Sequence, residues 1–242
     1  MSVAVGYLHG EQTAAIFTNS LGAMLWLQAG RSDIRLITDV LTQQSGVNVS
    51  HARNELVRRW LDETDAEWLL MLDADMGFKP DLPDALLAMA DADPDSPVYT
   101  PVIGGLCFGV DRGAAFPTIY GFQAQEDGRR RTVRAETYPA GVMLEVGATG
   151  AACLLIHRHA AQVVRENGYN PTYVWFQETE FEGERCGEDI TFCIRIRSAG
   201  FPVFVHTGIE LDHQKAQVVN ADLYRSQRAA AGLAAEVPVE FP

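Results

Sequence analysis

The sequence predicts an α/β fold, a mostly parallel central sheet flanked by helices with a small antiparallel β portion. Three observations carry this. Short apolar runs alternate with helix-period segments through the first 103 residues, the pattern of a doubly wound layer with right-handed crossovers. One run, Glu67-Trp68-Leu69-Leu70-Met71-Leu72, is too short for a helix and fits a central strand buried on both faces. The middle then changes character: two strand-like stretches flank Glu126-Asp127-Gly128-Arg129, a hairpin signature.

The elements follow in order. Residues 3–8 form a short buried strand ending at His9-Gly10, and 13–28 carry a helical period that stops at Gly30. Residues 34–41 make a second strand. Ser45–Ser50 is turn-rich, and Ser50 is placed to cap a helix through Leu61, whose stripe is Leu56, Val57, Trp60 and Leu61. The apolar strand 67–72 follows and ends at Asp73-Ala74-Asp75. Pro80 opens a helix through Ala90, 91–97 is a loop, and 98–103 is a fourth strand. Strands are then expected at 116–124, 132–138, 142–146 and 153–156, with a helix over 157–167. A helix over 187–199 and strands at 203–205 and 209–211 complete a domain spanning 1–213. Residues 214–242 read as a C-terminal tail that docks on the domain or extends from it.

Composition narrows the function. At 242 residues, 47% hydrophobic and 21% charged, the chain is globular and long enough to bury a full core. No apolar window reaches membrane-spanning length, and the N-terminus lacks a signal-peptide pattern. The four cysteines show no CxxC pairing, which points to reduced thiols in a cytoplasmic setting. The net charge of −13 argues against a nucleic-acid partner, which needs a basic face. That charge is concentrated. Residues 62–95 hold eleven carboxylates against Lys79 alone, and 178–189 hold six against Arg185. Seventeen of the 19 basic residues are arginines, taken as compositional bias. The run Arg129-Arg130-Arg131 with Arg134 reads as an exposed hairpin tip.

Four motifs could carry chemistry. Asp73 and Asp75 stand at the C-terminal end of a buried strand, where open α/β sheets bind ligands. On one side of an extended segment they offer oxygens to a hard divalent cation; taken alone, they also fit a turn. Glu188-Asp189 opens a helix, either as dipole-favoured capping or as a general base held on a rigid element. His213 follows a short strand and is a metal ligand or a structural histidine. Val146–Ala152 (VGATGAA) is dense in small residues, a mark of close approach by a ligand or another chain segment. Neither a GxGxxG nor a P-loop pattern is present.

In this order the motifs resemble the GT-A (Rossmann-like) nucleotide-sugar glycosyltransferases, nearest to family-2-like members including small ones from bacteriophage genomes. The strand leading to DAD, VGATGAACLLIHR, Trp175-Phe176, GEDITFCIRIRSAGFPVF and the terminal Asp212-His213 carry the resemblance, and Ala52-Arg53-Asn54 looks like the segment that often precedes DxD. The first strand continues as Gly6-Tyr7-Leu8-His9-Gly10 and the second gives Thr38-Asp39-Val40, both departing from the family-2 signatures that help hold the base.

The resemblance implies a transfer of sugar from a nucleoside-diphosphate donor to an acceptor hydroxyl on a glycan or protein. Mn2+ or Mg2+ would be held by Asp75, Asp73 and His213. His9, Arg53, Asn54, Asp73 and the Gly150 backbone would meet the donor. Asp189, or else Glu188, would be the base. Trp175 and Phe176 would lie on a mobile acceptor loop, with core packing the alternative for Trp175. A nucleotidyltransferase and a non-catalytic module of the same fold are the competing readings.

Overall fold

A computed structural model describes residues 1–232 apart from 33, 34, 94, 97, 112, 127, 216 and 217. Among them the central sheet has seven strands, ordered Met143–Glu145, Phe204–Glu210, Val102–Leu106, Cys153–His157, Trp68–Asp73, Val3–His9 and Ile37–Gln44. Five run in one direction. Cys153–His157 is inserted antiparallel between Val102–Leu106 and Trp68–Asp73, and Met143–Glu145 is an antiparallel edge. Smaller antiparallel sheets lie around this core, among them Ala148–Thr149 with Ile119–Ala124 and Arg130–Arg134.

Trp68–Asp73 shows why its sequence is apolar throughout. Leu69 and Met71 enter one hydrophobic cluster with Trp60, Trp175 and Phe192. Trp68, Leu70 and Leu72 enter the cluster on the other face, with Phe17, Met24 and Leu86. Alternate side chains of a strand face opposite ways, so a strand covered on both faces is apolar at every position.

Several expected boundaries shift for local reasons. Asn48, not Ser50, caps the helix Val49–Glu63: its side chain accepts the His51 N–H at 2.9 Å, while Ser50 lies within the first turn. The helix after Pro80 runs only over Leu82–Leu87, with Asp81 before it. The fourth strand is Val102–Leu106, displaced toward the glycines of Val102-Ile103-Gly104-Gly105-Leu106. Cβ atoms there would crowd Val205 and Leu211 of the adjoining strand and loop, so glycine admits close strand packing. Phe204–Glu210 is one strand, followed by Asp212–Gln214. The hairpin pairs Ala124 with Arg130; its Asp127, like Ile34 of the second strand, lies outside the described residues.

The C-terminal helix Ala221–Ala231 packs through Tyr224, which stacks on Tyr138 and donates its hydroxyl proton to the Glu136 carbonyl. Residues 233–242 lie outside the described residues. The four cysteines are free and buried. Among the described residues no helix is long and apolar enough to cross a membrane.

Candidate functional site

The Asp73-Ala74-Asp75 backbone is held from four sides. Asp73 N donates to Ala152 O at 3.1 Å and Ala74 N to Leu8 O at 2.9 Å. Ala74 O accepts from Ala14 N at 2.9 Å, and Asp75 O from Gln214 N at 2.8 Å. The last bond belongs to a small ladder in which Asp212–Gln214 runs antiparallel to Met76–Gly77, with His213 opposite Met76. Gly77 lets Ile16 pack against this strand, where a Cβ would lie 2.4 Å from Ile16 Cδ1. This ladder brings His213 to Asp75 across 138 positions of sequence.

His213 Nδ1 lies 2.7 Å from Phe108 O, and Nε2 lies 3.1 Å from Asp75 Oδ2. A carbonyl only accepts, so Nδ1 carries a proton and Nε2 faces the carboxylate. Nε2 with a lone pair there needs a proton or a cation between it and Oδ2. Lys215 Nζ donates to the same oxygen at 2.8 Å. Burial works to raise the Asp75 pKa, but His213 and Lys215 outweigh it and hold the carboxyl at about 2. Asp75 is therefore ionised at every physiological pH.

Asp73 is turned elsewhere. Both its oxygens accept from Arg53 Nη2 at 2.9 Å, and Arg53 Nη1 is bonded to Glu188. Arg53, with 5% of its side chain exposed, thus ties the end of the DAD strand to the start of the helix Glu188–Ser198. The expected metal trio is not assembled: among the described residues no three acidic, histidine or cysteine side chains converge. Asp75 and His213 remain as a pair. A divalent cation held by this pair would need most of its remaining ligands from water or a bound substrate.

Asp73 and Asp75 line a cleft of about 290 Å³ with His9, Gly10, Gln12 and Ser45. The cleft opens at the C-terminal ends of Val3–His9 and Trp68–Asp73, where ligands bind in open α/β sheets. Of the expected donor residues, His9 and Asp73 line it.

Asn54 is corrected. It is fully buried, and all its hydrogen-bonding capacity is used within the fold. Nδ2 donates to Ser50 O and Phe176 O, each at 2.7 Å, and Oδ1 accepts from Trp175 N at 2.8 Å and Phe176 N at 3.3 Å. Nothing is left for a donor. Gly150 is also absent from the cleft lining. Its N–H donates to Thr118 O at 3.2 Å, and a Cβ would meet the Thr118 side chain at 3.1 Å. The small residues of 146–152 therefore admit a neighbouring chain segment rather than a ligand.

Trp175 and Phe176 lie in the core, the alternative expected for Trp175. Both are 0% exposed. Trp175 Nε1 donates to Ala161 O at 2.9 Å, and Phe176 stacks on Phe192 with centroids 4.5 Å apart. Arg195 pins the same segment through Tyr173 O, Val174 O and Gln177 Oε1. No face of either ring is left open to an acceptor here.

At the other pole stands Asp189, half-buried at the start of its helix, accepting the Ile190 N–H at 2.8 Å. Burial first, and then the charge of Glu188, raise its pKa above the ordinary carboxylate range. Glu188 is committed to Arg53, which leaves Asp189 as the carboxylate suited to accept a proton. Burial and the charge of Asp189 also push the Tyr120 hydroxyl up to about 12.

The sequence reasoning missed Lys215, Tyr120 and Arg195. Lys215 lies two residues beyond His213, a signal within reach; Tyr120 and Arg195 depend on contacts that no local pattern encodes.

No protein-family model matches the chain, and no curated protein matches it. Solved structures do. A197 from STIV superposes with a TM-score of 0.54 at 14% identity, over 92% of this chain and 92% of that one. GalNAc-T7, crystallised with UDP, GalNAc and Mn2+, gives 0.50 at 12% identity, over 86% of this chain and 42% of that chain. The fold is of the GT-A type. CMP:2-keto-3-deoxy-manno-octonic acid synthetase complexed with CTP matches at 0.43 and 11% identity, over 85% of this chain and 89% of that one, too low a likeness to weigh. At these identities the comparisons speak to the fold, and function has to be argued from the site.

Proposed function

We propose that the protein transfers a sugar from a nucleoside-diphosphate-sugar donor to an acceptor hydroxyl on a glycan or protein, with Mn2+ or Mg2+ at Asp75 and His213. The observation that carries this reading is the Asp75–His213 pair. A permanently ionised carboxylate and an imidazole nitrogen of fixed tautomer meet beside a cleft at the C-terminal edge of the sheet.

A cation there would offset the charge that grows on the departing diphosphate. His9 and Asp73 line the space for the donor. Arg53 holds Asp73 and Glu188 at fixed positions, so donor cleft and base-bearing helix share one brace. The acceptor oxygen bonds to the anomeric carbon as the bond from that carbon to the diphosphate oxygen breaks. The nucleoside diphosphate leaves with the electron pair, and Asp189 takes the acceptor proton.

A thermal-shift panel of nucleotide sugars, each with and without Mn2+, tests the reading. The true donor at about 100 times its Kd should raise Tm by roughly 5–10 °C, and only with the cation. No shift from any nucleotide sugar would sink it, and pyrophosphate release from a nucleoside triphosphate and a sugar phosphate would make the protein a nucleotidyltransferase instead.

A further inference from the structure

Asp75 Oδ2 meets two side-chain nitrogens, one of them the Lys215 ammonium. Lys215 Nζ donates to Oδ2 at 2.8 Å, and His213 Nε2 lies 3.1 Å from the same atom. A divalent cation at this pair would need that oxygen. An ammonium and a dication crowded onto one carboxylate oxygen repel strongly at such distances, so one must give way. His213 cannot, because Phe108 O holds its Nδ1 at 2.7 Å and its side chain is only 14% exposed. Lys215 can. Its side chain is 48% exposed, and the preceding residue is anchored by Gln214 N donating to Asp75 O. Rotation about side-chain bonds is enough to release it, with the backbone ladder intact.

We infer that Lys215 is an exchangeable internal cation, seated on Asp75 when no metal is bound and released to the donor's diphosphate when metal arrives. The inference rests on the donor-site reading above and adds a regulation to it. The ammonium is a mobile point charge suited to phosphate oxygens, and the cleft that Asp75 lines is adjacent. Metal alone has to expel the ammonium into water, whereas metal together with a diphosphate gives it a new partner. Cation and donor therefore reinforce each other's binding, and the coupling is reciprocal.

The composition makes the test clean, because Lys79 and Lys215 are the only lysines in the chain. Selective 13Cε,15Nζ lysine labelling of the full chain yields two side-chain signals, with exposed Lys79 as the internal reference. Saturating Mg2+ should move the Lys215 signal toward that of a free lysine. Inorganic pyrophosphate added with Mg2+ should move it again, and Lys79 should stay in place. Free-Mn2+ titration by EPR adds a second readout. Lys215→Met should bind Mn2+ about ten-fold more tightly than wild type in the absence of pyrophosphate, while Lys215→Arg and the charge control Lys79→Met should bind like wild type. Mg2+ saturation with an unmoved Lys215 signal, or equal Mn2+ affinity in Lys215→Met and wild type, would overturn the exchange and leave the metal reading standing. Mn2+ binding to neither protein would overturn both.

Discussion

The two carboxylate poles of the site are built from the same residue type and made opposite by their surroundings. Asp75 meets the Lys215 ammonium and the His213 imidazole on one oxygen, and its carboxyl is held at about 2. Asp189 meets burial and a like-charged neighbour, and its pKa rises. The first suits a ligand for a cation, which must stay ionised. The second suits a base, whose hold on a proton is strengthened. Between them runs the chain Asp73–Arg53–Glu188, in which one guanidinium ties together the segments that carry the two poles. The general lesson is that a pair of environments, not a pair of residue types, assigns ligand and base.

The comparison can be broken most severely at Asp189. Asp189→Asn should lower kcat by about 10²–10⁴ and leave nucleotide-sugar affinity unchanged, as read by steady-state kinetics beside calorimetry. Next is the brace. Arg53→Met leaves two carboxylates facing each other without their cation and should cost about 3 kcal/mol of stability in urea unfolding. Glu188→Gln is subtler and sharpens the contrast. Removing the like charge lowers the Asp189 pKa, so the ascending limb of kcat/KM against pH should move toward lower pH. A limb that stays in place would assign the base elsewhere. The smallest effect concerns the corrected aromatic pair. Trp175→Phe removes one buried indole hydrogen bond and should cost about 1 kcal/mol, with acceptor KM unchanged; a raised acceptor KM would restore the platform role.

The same contrast explains what could be read from the sequence. Residues 3–8 and 67–72 were legible as strands because they are short apolar runs beside helical periods, and 67–72 reports burial on both faces without reference to any partner. Asp73 and Asp75 were legible because they end such a run. In the expected loop 91–97, Asp91 and Asp93 cap local turns, accepting from Asp93 N and Asp95 N. The second half is made of contacts between distant segments. Asn54 is expected at the donor because Ala52-Arg53-Asn54 resembles the segment that often precedes DxD, yet one helical step from Arg53 turns it into the core, where it braces 175–176. The antiparallel insertion of Cys153–His157 and the turn of Asp73 toward Arg53 are likewise set by tertiary contacts, which no local period reports.

The most direct measurement compares the Mn2+-dependent thermal shift by the best nucleotide sugar in wild type, Asp75→Asn and Asp189→Asn. The two-pole account predicts that the shift disappears in Asp75→Asn and survives in Asp189→Asn. An equal shift in all three, or a shift lost only in Asp189→Asn, would contradict it.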